Sequence, residues 1–140
     1  MMTRLLILLL LIRVPLFGDA EQDITDVVTN LASALSDNNL QAFLKTLDHD
    51  MANFGEIQHD VNALLSDSVI SCSVDVIGTA GSGTALSADL DWYMVVRSQQ
   101  DQNLIERRRT KVSIKVEKRG KKWVVTSFSP VSVFALMTAR

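Results

Sequence analysis

The 140-residue sequence is poor in the residues that staple or punctuate a chain, with one cysteine, two prolines and six glycines. A single thiol excludes an internal disulfide framework, so stability has to come from an ordinary hydrophobic core. The scarcity of Pro and Gly excludes low-complexity spacers, and the absence of a recurring period excludes solenoids and other repeat arrays. Excess charge is also missing. A net charge of −2 and a pI near 5.6 argue against a protein whose main business is coating nucleic acid or an anionic membrane. No catalytic motif stands in the sequence. What is present is 47% apolar and 21% charged residues, the composition of one globular domain.

Residues 1–20, MMTRLLILLLLIRVPLFGDA, have the layout of a removable secretory leader. Arg4 gives a positive start, Leu5 to Ile12 is an unbroken apolar run, and Gly18 and Ala20 put small residues at the −3 and −1 sites of a cut after Ala20. Arg13 interrupts the run well short of the roughly 20 apolar residues needed to span a bilayer, so no stable membrane anchor is expected after cleavage. The expected product is a secreted or periplasmic domain of residues 21–140 with 12 basic and 15 acidic residues.

Helical periodicity comes first. Ile24, Val27, Val28, Leu31 and Leu35 fall three and four apart, which predicts a helix over Glu21–Leu35, with Asp23 or Thr25 as its cap. The polar run 36–39 breaks it, and Asp37 or Asn38 suits the cap of a second short helix carrying Leu40, Phe43, Leu44 and Leu47. A third amphipathic stretch runs from about Phe54 to Leu65, with Ile57, Val61, Leu64 and Leu65 inward.

Beyond Ser66 the period drops to two. Ile70, Cys72, Val74 and Val76 share one face of a strand, and Leu86, Ala88, Leu90, Trp92, Met94 and Val96 share one face of the next, joined by a turn at 78–83. Matching apolar faces predicts Cys72 opposite Leu90 and Val74 opposite Ala88. A third strand, placed with Asp91 opposite Arg109 and Asp89 opposite Lys111, brings opposite charges together on the outer face. In the last hairpin Val112, Ile114 and Val116 are expected to face Ser127, Val125 and Trp123, with Glu117 beside Lys122 and Pro130 ending the strand. Three helices followed by a four-stranded antiparallel meander make an α+β domain whose curved sheet wraps its apolar face around the helices.

The segments "LASALSDNNLQAFLKTLDHDM" (31–51) and "KVSIKVEKRGKKWVVTSFSP" (111–130) resemble the opening helices and the closing strand pair of the nuclear transport factor 2-like superfamily, the cystatin-like cone that includes the SnoaL-like cyclases. "DLDWYMVV" (89–96) fits a central strand of that fold, so the resemblance covers the whole chain after the leader. It implies a conical pocket between sheet and helices, and together with the leader an exported, bacterial-type member. Some members do chemistry there and others only bind or dimerise, so fold alone does not choose. Enzymes of the fold place an Asp, His or Tyr constellation inside the cone, and none maps onto this chain residue by residue. The strand that many members carry between their second and third helices is not evident at 51–54, which implies a shallower pocket.

The candidate sites can be weighed singly. His49 and His59 are the only histidines and lie too far apart to read as a metal pair, with Cys72 too isolated to complete one. No metal site is expected. Asp48 and Asp50 flank His49 in what reads as a capped turn. Gly78, Gly81 and Gly83 lie between strands with no following Lys, which is a hairpin and not a phosphate loop. Residues 107–140 hold ten basic residues and one acid, yet alternation pairs several of the bases with Asp89 and Asp91, so no nucleic-acid partner is expected. Arg108 differs from its neighbours because alternation turns it inward beside Trp92 and Thr110. There it either grips a carboxylate ligand or is consumed by Glu106 or the Trp92 ring.

The leading expectation is therefore an exported, non-catalytic domain that binds a small apolar or acidic molecule, or a protein, through the cone, with Trp92, Arg108, Thr110 and Ser127 as ligand contacts. The alternative is a small enzyme of the cyclase, isomerase or dehydratase type that needs no cofactor. A homodimer through the outer sheet face is a further expectation.

Overall fold

A computed structural model describes residues 20–137, so the leader lies outside the described residues apart from Ala20. Helix α1 covers 20–36 and buries the expected stripe of Ile24, Val27, Val28, Leu31 and Leu35. Asp23 and Thr25 lie inside this helix and do not cap it. The Thr25 hydroxyl instead donates to the Glu21 carbonyl at 2.8 Å. The chain reverses through Asp37 and Asn38, the latter at φ +56, a left-handed conformation that Asn tolerates well. The cap of helix α2 (Leu40–Lys45) is Asn39, one residue later than expected, whose side chain accepts from the Ala42 amide at 3.0 Å. Helix α3 (Phe54–Asp67) buries Ile57, Val61, Leu64 and Leu65.

The sheet is a meander in the order β1 (Ser68–Ser82), β2 (Ala85–Ser98), β3 (Ile105–Arg119), β4 (Lys122–Ser129), antiparallel throughout. Even-numbered residues of β2 and β3 face the helices and odd-numbered ones face away, as the alternation predicts.

The register departs from the expected one. Cys72 pairs with Met94 and Val74 with Trp92, not with Leu90 and Ala88. The cause is the turn: β1 runs on through Gly78 to Ser82, leaving only Gly83 and Thr84 as the loop, and a bulge at Ile77 absorbs one residue. Gly81 sits at φ +97 with the Ala85 carbonyl oxygen only 2.5 Å from where a Cβ would lie, so no side chain fits there. Between β2 and β3 the rungs are Asp91 with Lys111 and Tyr93 with Arg109, two residues from expectation where β1–β2 is four. Up to the bulge each displacement is even, so the side chains there keep their expected faces.

The β3–β4 hairpin carries the consequential difference. Its turn is Gly120–Lys121, and an irregularity opposite Lys115 and Val116 leaves Thr126 without a partner. Val125 pairs with Val116, whereas Phe128 pairs with Ile114 and Ser127 with Lys115. The extra residue flips the phase, so Phe128 points inward and Ser127 outward. Lys122 accordingly stands opposite Arg119 and not beside Glu117. After Pro130, a single 3-10 turn (Val131–Phe134) folds back and buries Val133 and Phe134. No such element is expected from the sequence pattern.

The stretch joining α1 to α2 and continuing past it reaches both margins of the sheet. Ser36 Oγ accepts from the Cys72 amide at 3.0 Å on the β1 margin. On the β4 margin the Asp48 amide donates to the Val125 carbonyl at 2.8 Å and the Val125 amide to the Thr46 carbonyl at 2.9 Å.

Candidate functional site

The residues singled out for binding separate into two faces. Trp92 stands opposite Thr110, and Met94 opposite Arg108, so Trp92, Thr110 and Arg108 share the inner face of β2 and β3. Ser127 does not join them, because the β4 irregularity turns it to the outer face beside Lys115.

The cone's interior is filled. The fully buried Trp92 ring meets Phe128 edge-on at 5.3 Å between centroids and Phe134 edge-on at 5.9 Å. Phe128 and Phe134 stack at 5.1 Å, and Phe43 from α2 closes on Phe134 at 5.5 Å. Each such contact contributes about 0.5–1.5 kcal/mol beyond area burial. Phe128 is fixed from the α3 side as well, since the Asn53 side chain donates to its carbonyl at 3.0 Å. Among the described residues the only buried polar or charged residue is Ser68, whose hydroxyl lies 3.8 Å from Met137 Sδ.

Arg108 sits at the wide rim of the cone, its side chain 11% exposed. Nε donates to Glu106 Oε1 at 2.7 Å and Nη1 to the Val133 carbonyl at 2.8 Å, so the guanidinium is charge-paired and ties the C-terminal turn to β3. Nη2 of Arg108 and Nε1 of Trp92 are buried without an acceptor. Beside Arg108 a groove of about 370 Å³ opens between β3 and the final turn, lined by Arg107, Arg108, Arg109, Thr110, Val133 and Leu136 among others.

The other candidates are held in structural roles. Asp48 accepts from Arg119 Nη2 at 2.7 Å and from the Asp50 amide at 2.9 Å. Those bonds, the Arg119 one foremost, keep its carboxyl below the usual carboxylate range, the wrong direction for a proton donor near neutrality. His49 lies tilted against Phe54 with ring centroids 4.5 Å apart, and one ring nitrogen is 3.3 Å from the Leu44 carbonyl. His59 is exposed on α3 beside Asp60. Burial pushes the Cys72 thiol up to about 12, so it stays protonated at neutral pH. Among the described residues no three His, Cys, Asp or Glu side chains gather closely enough to hold a metal ion.

The outer face carries the charge pairs. Arg109 forks onto Asp91 at 2.7 and 3.2 Å, and Lys111 lies 3.7 Å from Asp89. These are the expected partners reached diagonally and not across a rung. The same face has a second groove of about 370 Å³, floored by small side chains including Ser87, Ser113, Ser127 and Ser129.

Three things escaped the sequence: Phe128 and Phe134 as the plug of the cone, and the Val133 carbonyl as an acceptor for Arg108. Val131, Val133 and Phe134 just after Pro130 were the available signal for Phe134, while the skipped residue Thr126 hid Phe128. A backbone carbonyl leaves none.

An α+β cone with its helices first and a four-stranded meander wrapped over them defines a class, and solved structures identify it. No family model matches the sequence, and no curated protein matches it. The fold matches a conserved protein from Planctomyces limnophilus with a TM-score of 0.71 at 9% identity, covering 79% of this chain and 94% of that one. It also matches an NTF2-like protein of unknown function from Shewanella oneidensis, with a TM-score of 0.61 at 14% identity over 78% and 96% of the two chains. A ketosteroid isomerase-like protein from Erwinia carotovora is similar with a TM-score of 0.63 at 8% identity over 76% and 91%. The chain has the nuclear transport factor 2-like fold. At these identities the likeness is one of architecture.

Proposed function

We propose that this chain is a non-catalytic binding domain, exported by virtue of residues 1–20, that takes a small, largely apolar molecule at the wide rim of the cone. The observation that carries the reading is the ring cluster of Trp92, Phe128, Phe134 and Phe43, which occupies the space where a reaction chamber would lie. Acid–base chemistry needs a donor and an acceptor converging on the substrate. The interior offers aromatic and aliphatic side chains instead, and Arg108 is already paired with Glu106. The rim groove beside Arg108 and Thr110 is an opening on this side of the described residues.

The test is a thermal-shift screen of small apolar ketones, amides and acids, combined with product analysis of every hit. Saturable stabilisation without chemical change is the expected outcome. Turnover of any hit that Arg108→Gln abolishes would refute the reading in favour of a small cofactor-independent enzyme.

A second copy of the chain is the other partner we propose, docked on the outer face. Its support is charge complementarity: the β2 row of Asp89 and Asp91 lies beside the β3 row of Arg107, Arg109 and Lys111, so a two-fold axis can bring acids of one copy onto bases of the other. Sedimentation should show a dimer that loosens as salt rises, and a monomer at low salt would sink this assembly.

A further inference from the structure

Two side-chain nitrogens are buried without an acceptor among the described residues, Trp92 Nε1 and Arg108 Nη2. Such groups are rare in native proteins, and each is destabilising unless something accepts its hydrogen. They are also neighbours. Trp92 pairs with Thr110, and Arg108 is two residues along the same strand on the same face. Diagonal positions of this kind lie roughly 7–8 Å apart at the backbone, within reach of two long side chains turned to one point.

Neither donor is free to look elsewhere. The indole is gripped edge-on by Phe128 and Phe134, which offer no lone pair. The guanidinium is fixed through its other nitrogens, by Glu106 at 2.7 Å and the Val133 carbonyl at 2.8 Å. With both groups donors, their complement is an acceptor. Glu106 already balances the Arg108 charge, so a carboxylate at this spot would leave a net negative charge among aromatic rings, whereas an uncharged oxygen would not. The rim groove, whose lining includes Arg108, Thr110, Val133 and Leu136, gives such a molecule its approach from the Arg108 side.

We propose that Trp92 Nε1 and Arg108 Nη2 form an acceptor subsite for one neutral carbonyl oxygen, of amide or ketone type, on a small apolar ligand whose body lies in the rim groove. The proposal rests on the reading of the rim as a binding site and specifies its ligand chemistry. Occupancy requires the turn Val131–Phe134 to yield locally, since Phe134 packs on the Trp92 ring and the Val133 carbonyl holds Arg108 Nη1.

The indole N–H resonances of 15N-labelled protein read this directly. The sequence has two tryptophans, and Trp123→Phe assigns the Trp92 signal. Benzamide should move the Trp92 resonance saturably. Benzoate, with the same ring and a charged head, should bind at least tenfold more weakly. Trp92→Phe keeps a ring in place while deleting the donor, and in the folded variant the benzamide affinity should fall at least tenfold. Equal binding of benzoate overturns the neutral-oxygen assignment. A Trp92 resonance that benzamide leaves unmoved, or a tightly held water that benzamide at saturation does not displace, overturns the subsite. If a probe then still raises the melting temperature, the rim-binding reading survives without the subsite. If none of the three kinds of compound in the thermal screen binds either, both fail.

Discussion

On the inner face of the sheet Leu90, Trp92, Met94, Val112 and Ile114 are sealed from water, while one residue along each strand Asp89, Asp91, Arg109 and Lys111 stand in solvent and pair with each other. The inner face has few polar atoms, and each one without a partner carries its full desolvation cost. The outer face has many, and water stands ready to replace any of them, so its ion pairs contribute little. Site chemistry is therefore to be sought where polar atoms are scarce, and the rim around Arg108 is where the two regimes meet.

The contrast can be broken most forcefully from inside. Phe134→Ala removes a ring that touches Trp92, Phe128 and Phe43, and should cost about 3–5 kcal/mol, read from the denaturant midpoint at constant m-value. At the rim, Arg108→Met leaves Glu106 and the Val133 carbonyl without their partner and should cost about 2 kcal/mol. Combining it with Glu106→Gln should recover part of that loss, a non-additivity that a double-mutant cycle measures. Gly81→Ala forces a side chain into a left-handed backbone against the Ala85 carbonyl and should cost about 1–2 kcal/mol without touching either face.

The smallest effect belongs outside. The Arg109 hydrogen bond holds the Asp91 carboxyl below its ordinary value of 3.8, so whatever stability the pair gives is present above that pH and is lost as pH falls through the lower folded value. Asp91→Asn should therefore lower the neutral-pH midpoint only slightly, and the gap to the parent protein should close as pH falls below about 4. A larger loss at neutral pH would show that the outer face is not solvated as described.

Which side chains face the core was legible because strand alternation survives an even slip in register: Trp92 and Val112 point inward although the rungs are four residues off on one side of β2 and two on the other. Bulges were not legible. Nothing in the composition of "WVVTSFS" says that Thr126 is skipped, and that one residue decides whether Ser127 or Phe128 enters the cone. The rim pairing of Arg108 with Glu106 was open to sequence reasoning because the two lie on one strand face two residues apart. The plugging of the cone was not, because Phe134 reaches Trp92 only after the chain doubles back.

The thirteen positions from Ser36 to Asp48 act on both selvedges of the sheet, with Ser36 engaging the backbone at Cys72 and Thr46 and Asp48 engaging it at Val125. An outermost strand with idle amides is a template for another chain, and this molecule has two such strands. A nick or loosening in that single connector would strip the hem from both sides together, leaving each molecule two-ended and able to extend into a ribbon.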